Sequence, residues 1–104
     1  MTAGDGVTDR PTYIDIDGTL TDDGKRGGKP IPSRIAFVQR LLASGTTVVI
    51  WSGSGTNYAR EFVIDNKLTG AFPIGKPEIA VDDNPNIRPV ETIRIRTPEE
   101  FFDE

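Results

Sequence analysis

The stretch TTVVIW, Thr46–Trp51, constrains the fold more than any other part of the chain. It is β-branched and nearly all apolar, so it suits a strand covered on both faces, as strands are in a parallel sheet. Helical patterns flank it on both sides. Before it, Pro32 suits the first turn of a helix. Ile35, Val38, Leu41 and Leu42 then recur at helical spacing, and Gly45 suits the position after the helix end. After it, SGSGT interrupts the apolar run and Asn57–Leu68 reads as a second helix, with Tyr58 and Phe62 near its turns.

Further strands are expected at Tyr13–Asp17, Ala71–Ile74, Glu78–Asp83 (EIAVDD) and Thr92–Arg96, with Pro98 opening a short last helix. Gly18–Pro30, with its glycines and charges, reads as a loop or small hairpin. The order β-α-β-α-β-β-β-α predicts an open, mostly parallel, Rossmann-like α/β sheet. Ile14, Val38, Leu41, Val48, Ile50, Trp51 and Val81 are its expected core. Residues 1–10 are small and polar and read as a flexible lead, leaving 11–104 as a single domain. A domain of this size buries roughly 65% of its unfolded surface, enough for one core.

Composition narrows the chemistry. The chain has neither cysteine nor histidine, so disulfides and thiolate or imidazole metal sites are excluded. A metal must be held by oxygen, which favours Mg²⁺, Mn²⁺ or Ca²⁺. Acid–base work near neutral pH falls to carboxylates, lysine or water. The net charge of −4 gives no basis for attraction to nucleic acid or to an anionic membrane. No apolar run approaches the roughly 20 residues of a membrane helix. MTAGDGVTDR lacks the apolar core of a signal peptide, so a cytoplasmic location is expected.

Polar clusters stand at the expected strand ends: Asp15/Asp17, Ser52/Ser54 and Asp82/Asp83. Parallel strands bring such clusters to one sheet edge, where ligands of open α/β sheets bind. Strand alternation puts Asp15 and Asp17 on one side, opposite Ile14 and Ile16. Four carboxylates at one edge call for a counter-ion, and Mg²⁺ with one or two carboxylates plus waters is the commonest solution.

DIDGTLT, VVIWSGS, GKP and IAVDDN, in this order over Tyr13–Asn84, resemble the motifs of the haloacid dehalogenase (HAD) superfamily of phosphohydrolases. The spacing of the last two is similar to that of small capless phosphatases of bacterial polysaccharide biosynthesis. The resemblance implies a sheet order of 5-4-1-2-3 with Asp15 on the central strand. It implies Mg²⁺-dependent hydrolysis of a phosphomonoester through an aspartyl-phosphate. Asp15 would be the nucleophile. Asp17 would be the general acid–base, with its backbone carbonyl on the metal. Ser52, with Gly53 beside it, would bind the phosphoryl oxygens, and Lys76 would offset charge. Asp82 and Asp83 would complete a metal set with Asp15 and Asp17. Gly18 would let the chain turn away from the crowded site.

The chain departs from larger relatives in two respects. Neither Asp17–Pro32 nor Ser52–Lys76 is long enough to hold a cap domain. The arginine many relatives carry behind the second motif is replaced by Gly53 and Ser54, with Arg60 the nearest. Lys25, Arg26 and Lys29 would make the Gly18–Pro30 flap a basic lip for an anionic substrate. An open site is expected either to be completed by a neighbour's flap in a homo-oligomer or to serve a large substrate. A small phosphorylated metabolite is the expected substrate. A nucleic-acid end or phosphoprotein is one alternative, and a catalytically weak binding or regulatory protein on the same fold is another. A response-regulator receiver fits less well, because its phospho-acceptor belongs on a later strand than DIDGTL.

Overall fold

Three parallel strands form the sheet of the computed structural model, which describes residues 10–83 and 95–104. They are β1 (Thr12–Asp15), β2 (Val48–Ser52) and β3 (Phe72–Gly75), in the spatial order β1-β2-β3. Ile14 pairs with Ile50 and Asp15 with Trp51, and Ser52 pairs with Gly75. The connections are α1 (Pro32–Ala43) and α2 (Thr56–Asp65), and a short α3 spans Pro98–Phe102. No helix among the described residues is long and apolar enough to cross a membrane.

One face of the sheet carries the core. Ile14, Val48 and Ile50 meet Val38 of α1, Ala59, Phe62 and Val63 of α2, and Phe102 of α3. Ile16 and Leu20 extend the same cluster from the turn after β1. Each fully buried Val, Leu, Ile or Phe among them contributes about 1.5–3 kcal/mol relative to exposure. Leu41 packs on the edge of this cluster. The opposite face differs from the expectation of a strand covered on both sides. Val49 is buried there between its register neighbours Tyr13 and Phe72. Trp51 is only half-buried, with Tyr13 set edge-on to it at 4.8 Å between ring centroids. Cross-strand neighbours, rather than a second helical layer, supply what cover the described residues give this face.

The helices are bounded by local chemistry. Pro32 occupies the first turn of α1, and Gly45 follows its cap residue Ser44 with φ 92°. α3 has a full capping box: Thr97 Oγ1 accepts from the Glu100 N–H, and Glu100 Oε1 accepts from the Thr97 N–H. A five-residue helix does not persist alone. Phe101 and Phe102 hold it to Phe37 of α1, with centroid separations of 5.4 and 5.1 Å.

Two expectations change. EIAVDD forms no strand: residues 78–83 are irregular and exposed, and Val81, expected in the core, is 96% exposed. Pro77 removes a ladder donor at its entrance, and Ile79 and Val81 give it too little apolar surface to offset its terminal carboxylates. The flexible lead lies outside the described residues apart from Arg10. The strand expected over Thr92–Arg96 also lies outside them except for Ile95 and Arg96, which are irregular. The described sheet therefore carries only the 1-2-3 part of the expected order.

One glycine is dictated by a close approach. A Cβ on Gly75 would stand 3.1 Å from Gly55 Cα and 3.1 Å from Thr56 N, both backbone atoms at the start of α2. Gly75→Ala should therefore cost about 1–3 kcal/mol through forced backbone movement. Gly53→Ala, whose Cβ meets nothing within 4 Å, should be nearly neutral. Urea denaturation of the two variants beside the parent checks this, and equal midpoints for all three would refute it.

Candidate functional site

The carboxyl ends of the three strands gather the site. Asp15 ends β1, Ser52 ends β2, and Lys76 follows the last residue of β3. Because the strands are parallel and in register, all three arrive at one edge. Lys76 Nζ stands 3.1 Å from Asp15 Oδ1, and it lies 5.4 Å from the centre of the Trp51 ring. Backbone geometry sets the lysine there: its N–H donates to the Ser52 carbonyl at 2.9 Å, and the Gly75 N–H donates to Thr56 Oγ1 at 2.8 Å. Asp15 and Lys76 remain partly exposed, at 32% and 43% of their side chains, so a solvent-borne anion can reach them.

Asp15 has a second partner. The chain after β1 closes a tight turn in which the Ile16 carbonyl accepts the N–H groups of Thr19, Leu20 and Thr21. Gly18 sits in it with φ 77°, the left-handed region that glycine adopts freely. The turn brings Thr19 Oγ1 to donate to Asp15 Oδ2 at 3.2 Å. Thr21 Oγ1 accepts the Gly18 N–H. Thr19 in turn offers its carbonyl to the buried Arg34, whose Nη1 donates at 2.7 Å.

Asp17 lies in the same turn, just past the strand. Tyr58 of α2 donates its hydroxyl to Asp17 Oδ1 at 2.7 Å. The Arg26 guanidinium of the flap stacks over the Tyr58 ring at 4.6 Å. Burial pushes the Tyr58 phenol above its ordinary pKa, and the bond to Asp17 adds to the rise, partly offset by the Gly27 backbone. The flap itself closes through an antiparallel bridge between Thr21 and Pro30, with Lys25 and Lys29 exposed on it.

The other expected residues are placed differently. Ser52 is buried, and its Oγ accepts the Ser54 N–H at 3.0 Å, while Gly53 and Ser54 are exposed beside it. Arg60 points along α2 to Asn57 at 2.8 Å. Asp82 and Asp83 are exposed on the irregular segment after β3. Among the described residues, no three carboxylates gather into a set that could hold a metal ion. The fit to Mg²⁺ is thus partial. Asp15 and Asp17 supply the hard oxygen donors such an ion takes, but the second pair is not assembled with them.

Thr19, Tyr58 and Arg34 were not singled out from the sequence as site residues. Thr19 had a signal, since it lies within DIDGTLT. Tyr58 and Arg34 had none, because each reaches the site only through the packing of a helix. Comparison with protein-family models, with curated proteins and with solved structures returned no match.

Proposed function

We propose that this chain is a phosphatase of the HAD type, hydrolysing phosphate monoesters through an aspartyl-phosphate on Asp15. The observation that carries the reading is Lys76 Nζ at 3.1 Å from Asp15 Oδ1 at the carboxyl edge of a parallel sheet, with Asp17 two residues on. A carboxylate nucleophile needs a nearby cation to admit an anionic phosphoryl group, and Lys76 supplies it. An oxygen of Asp15 attacks phosphorus as the ester P–O bond breaks. The bonding pair leaves with the ester oxygen, which takes a proton from the Asp17 carboxylic acid. Water then attacks the aspartyl-phosphate and gives a proton to Asp17. The bond to Asp15 breaks, and inorganic phosphate leaves.

Mg²⁺, when bound, would screen the phosphoryl oxygens, with the Asp15 carboxylate and the Asp17 backbone carbonyl as its ligands. Activity should need Mg²⁺ or Mn²⁺ and stop with EDTA. Millimolar Mg²⁺ should raise Tm by the linkage of a ligand that binds only the native state. The rise should vanish in Asp15→Asn. Its loss in Asp82→Ala as well would bring that carboxylate to the ion, whereas its persistence there would assign the ion to the first pair alone. A wild-type Tm indifferent to Mg²⁺ would remove the ion from the proposal.

A screen of sugar phosphates, nucleotides and phosphopeptides with Mg²⁺ tests the function, a small phosphorylated metabolite being the expected substrate. Absence of phosphate release from every class would sink the reading. The exposure of Asp82 and Asp83 favours one second reading, a weakly catalytic binding protein on the same fold. It would show binding of phosphate esters with little or no turnover.

A further inference from the structure

Resting on that phosphatase reading, we propose that Tyr58 is a positioning residue for Asp17, holding the carboxyl group so that its free oxygen faces the leaving group. Asp17 lies in a turn beyond the end of β1, where strand pairing does not fix its side chain. Tyr58 does so from another element. Its hydroxyl donates to Oδ1 at 2.7 Å across 41 residues of sequence. A phenol that donates to Oδ1 takes the place a carboxyl proton would occupy there, so the transferable proton resides on Oδ2. The ring is itself held between two packed elements. Tyr58 belongs to α2 and packs against the buried core, while Arg26 of the flap stacks on it at 4.6 Å. The acid–base is therefore oriented by the same side chain that receives the flap.

The role concerns one proton. In the first step, the proton on Oδ2 passes to the ester oxygen as that oxygen takes the electron pair of the breaking P–O bond. An ester with a strongly basic leaving oxygen depends on this transfer, whereas p-nitrophenolate leaves without it. Tyr58→Phe keeps the ring and its contact with Arg26 and removes only the donor. Its kcat/KM should fall about tenfold on an alkyl phosphate, the scale of one hydrogen bond that strengthens as the carboxyl gives up its proton and becomes anionic, and less than twofold on p-nitrophenyl phosphate.

A role in folding alone would lower both values together. Equal losses on the two esters, or no loss on either, would overturn the proposal. The contact is checked apart from turnover by Tm: the decreases in Tyr58→Phe and Asp17→Ala should sum to more than the decrease in the double variant. Additive decreases would overturn the contact. A wild-type chain inactive toward both esters would overturn the phosphatase reading and the leaving-group role together, and the Tm cycle would still report on the bond.

Discussion

Asp15→Asn should lower phosphoester hydrolysis by a factor on the order of a thousand or more, the scale on which loss of a nucleophile acts. An amide oxygen is neither anionic nor able to form a stable phosphoryl intermediate, so the first bond is not made. The fold should survive. Asn has the same shape and can still accept from Thr19 Oγ1, which donates to Asp15 in the parent. The lost partner is Lys76, in a pair exposed enough that it is worth only about 0–1 kcal/mol to stability. Asp17→Asn should behave differently. Under the proposed mechanism it should also slow turnover, but the attack by Asp15 should remain possible on an ester with a good leaving group, while the water step would lack its base. A phosphate adduct should then accumulate in the intact mass of Asp17→Asn and be absent from Asp15→Asn. Phosphate-release assays and mass measurement on both variants check this, and undiminished turnover in Asp15→Asn would sink the mechanism.

What could be read from the sequence was what repeats locally. The apolar strands of Ile14 and Val48–Ile50, the helical spacing of α1 and the proline that opens it are local signals, and each lies within a residue or two of where it was expected. The parallel order then put Asp15, Ser52 and Lys76 on one edge. The expectation failed where it required a partner. EIAVDD has strand-like composition, but a strand exists only in a ladder, and residues 78–83 have none among the described residues. The apolar run around Trp51 predicts a core position for it, yet it lies on the face without a helical layer among those residues. The contacts that hold the site, Tyr58 to Asp17 and Arg34 to Thr19, join residues distant in sequence or on separate elements. No periodicity records them.

Arg34→Met should remove about 2 kcal/mol of stability, the cost of leaving the Thr19 carbonyl without its donor, and roughly 10 °C of Tm in a chain of this size. Met preserves much of the packing of the stem, so the loss isolates the guanidinium. That group is buried and joins three elements. It donates to the Thr19 carbonyl in the turn behind Asp15 and to Glu104 at 2.9 Å from Nε, and it lies over the Phe102 ring of α3 at 5.2 Å. Glu99 stands 3.6 Å away as a weaker partner. The variant should also change the pH profile. The hydrogen bonds from Arg34 hold the Glu104 carboxyl below the ordinary glutamate range. A carboxyl with a lowered native pKa takes up its proton more readily in the unfolded chain. Its contribution is therefore complete above the ordinary glutamate value and is lost as pH falls through the lowered one. Over the acid range below the ordinary glutamate value the parent should lose this part of its stability, and Arg34→Met, with no guanidinium to depress Glu104, should not. Some acid slope should persist in both, because Glu100 is held low by the Thr97 cap, which the substitution does not touch. Thermal melts across that range distinguish the cases. Parallel acid slopes in parent and variant would show that Arg34 does not hold Glu104, and with it that the link from α3 to the turn behind Asp15 is not made.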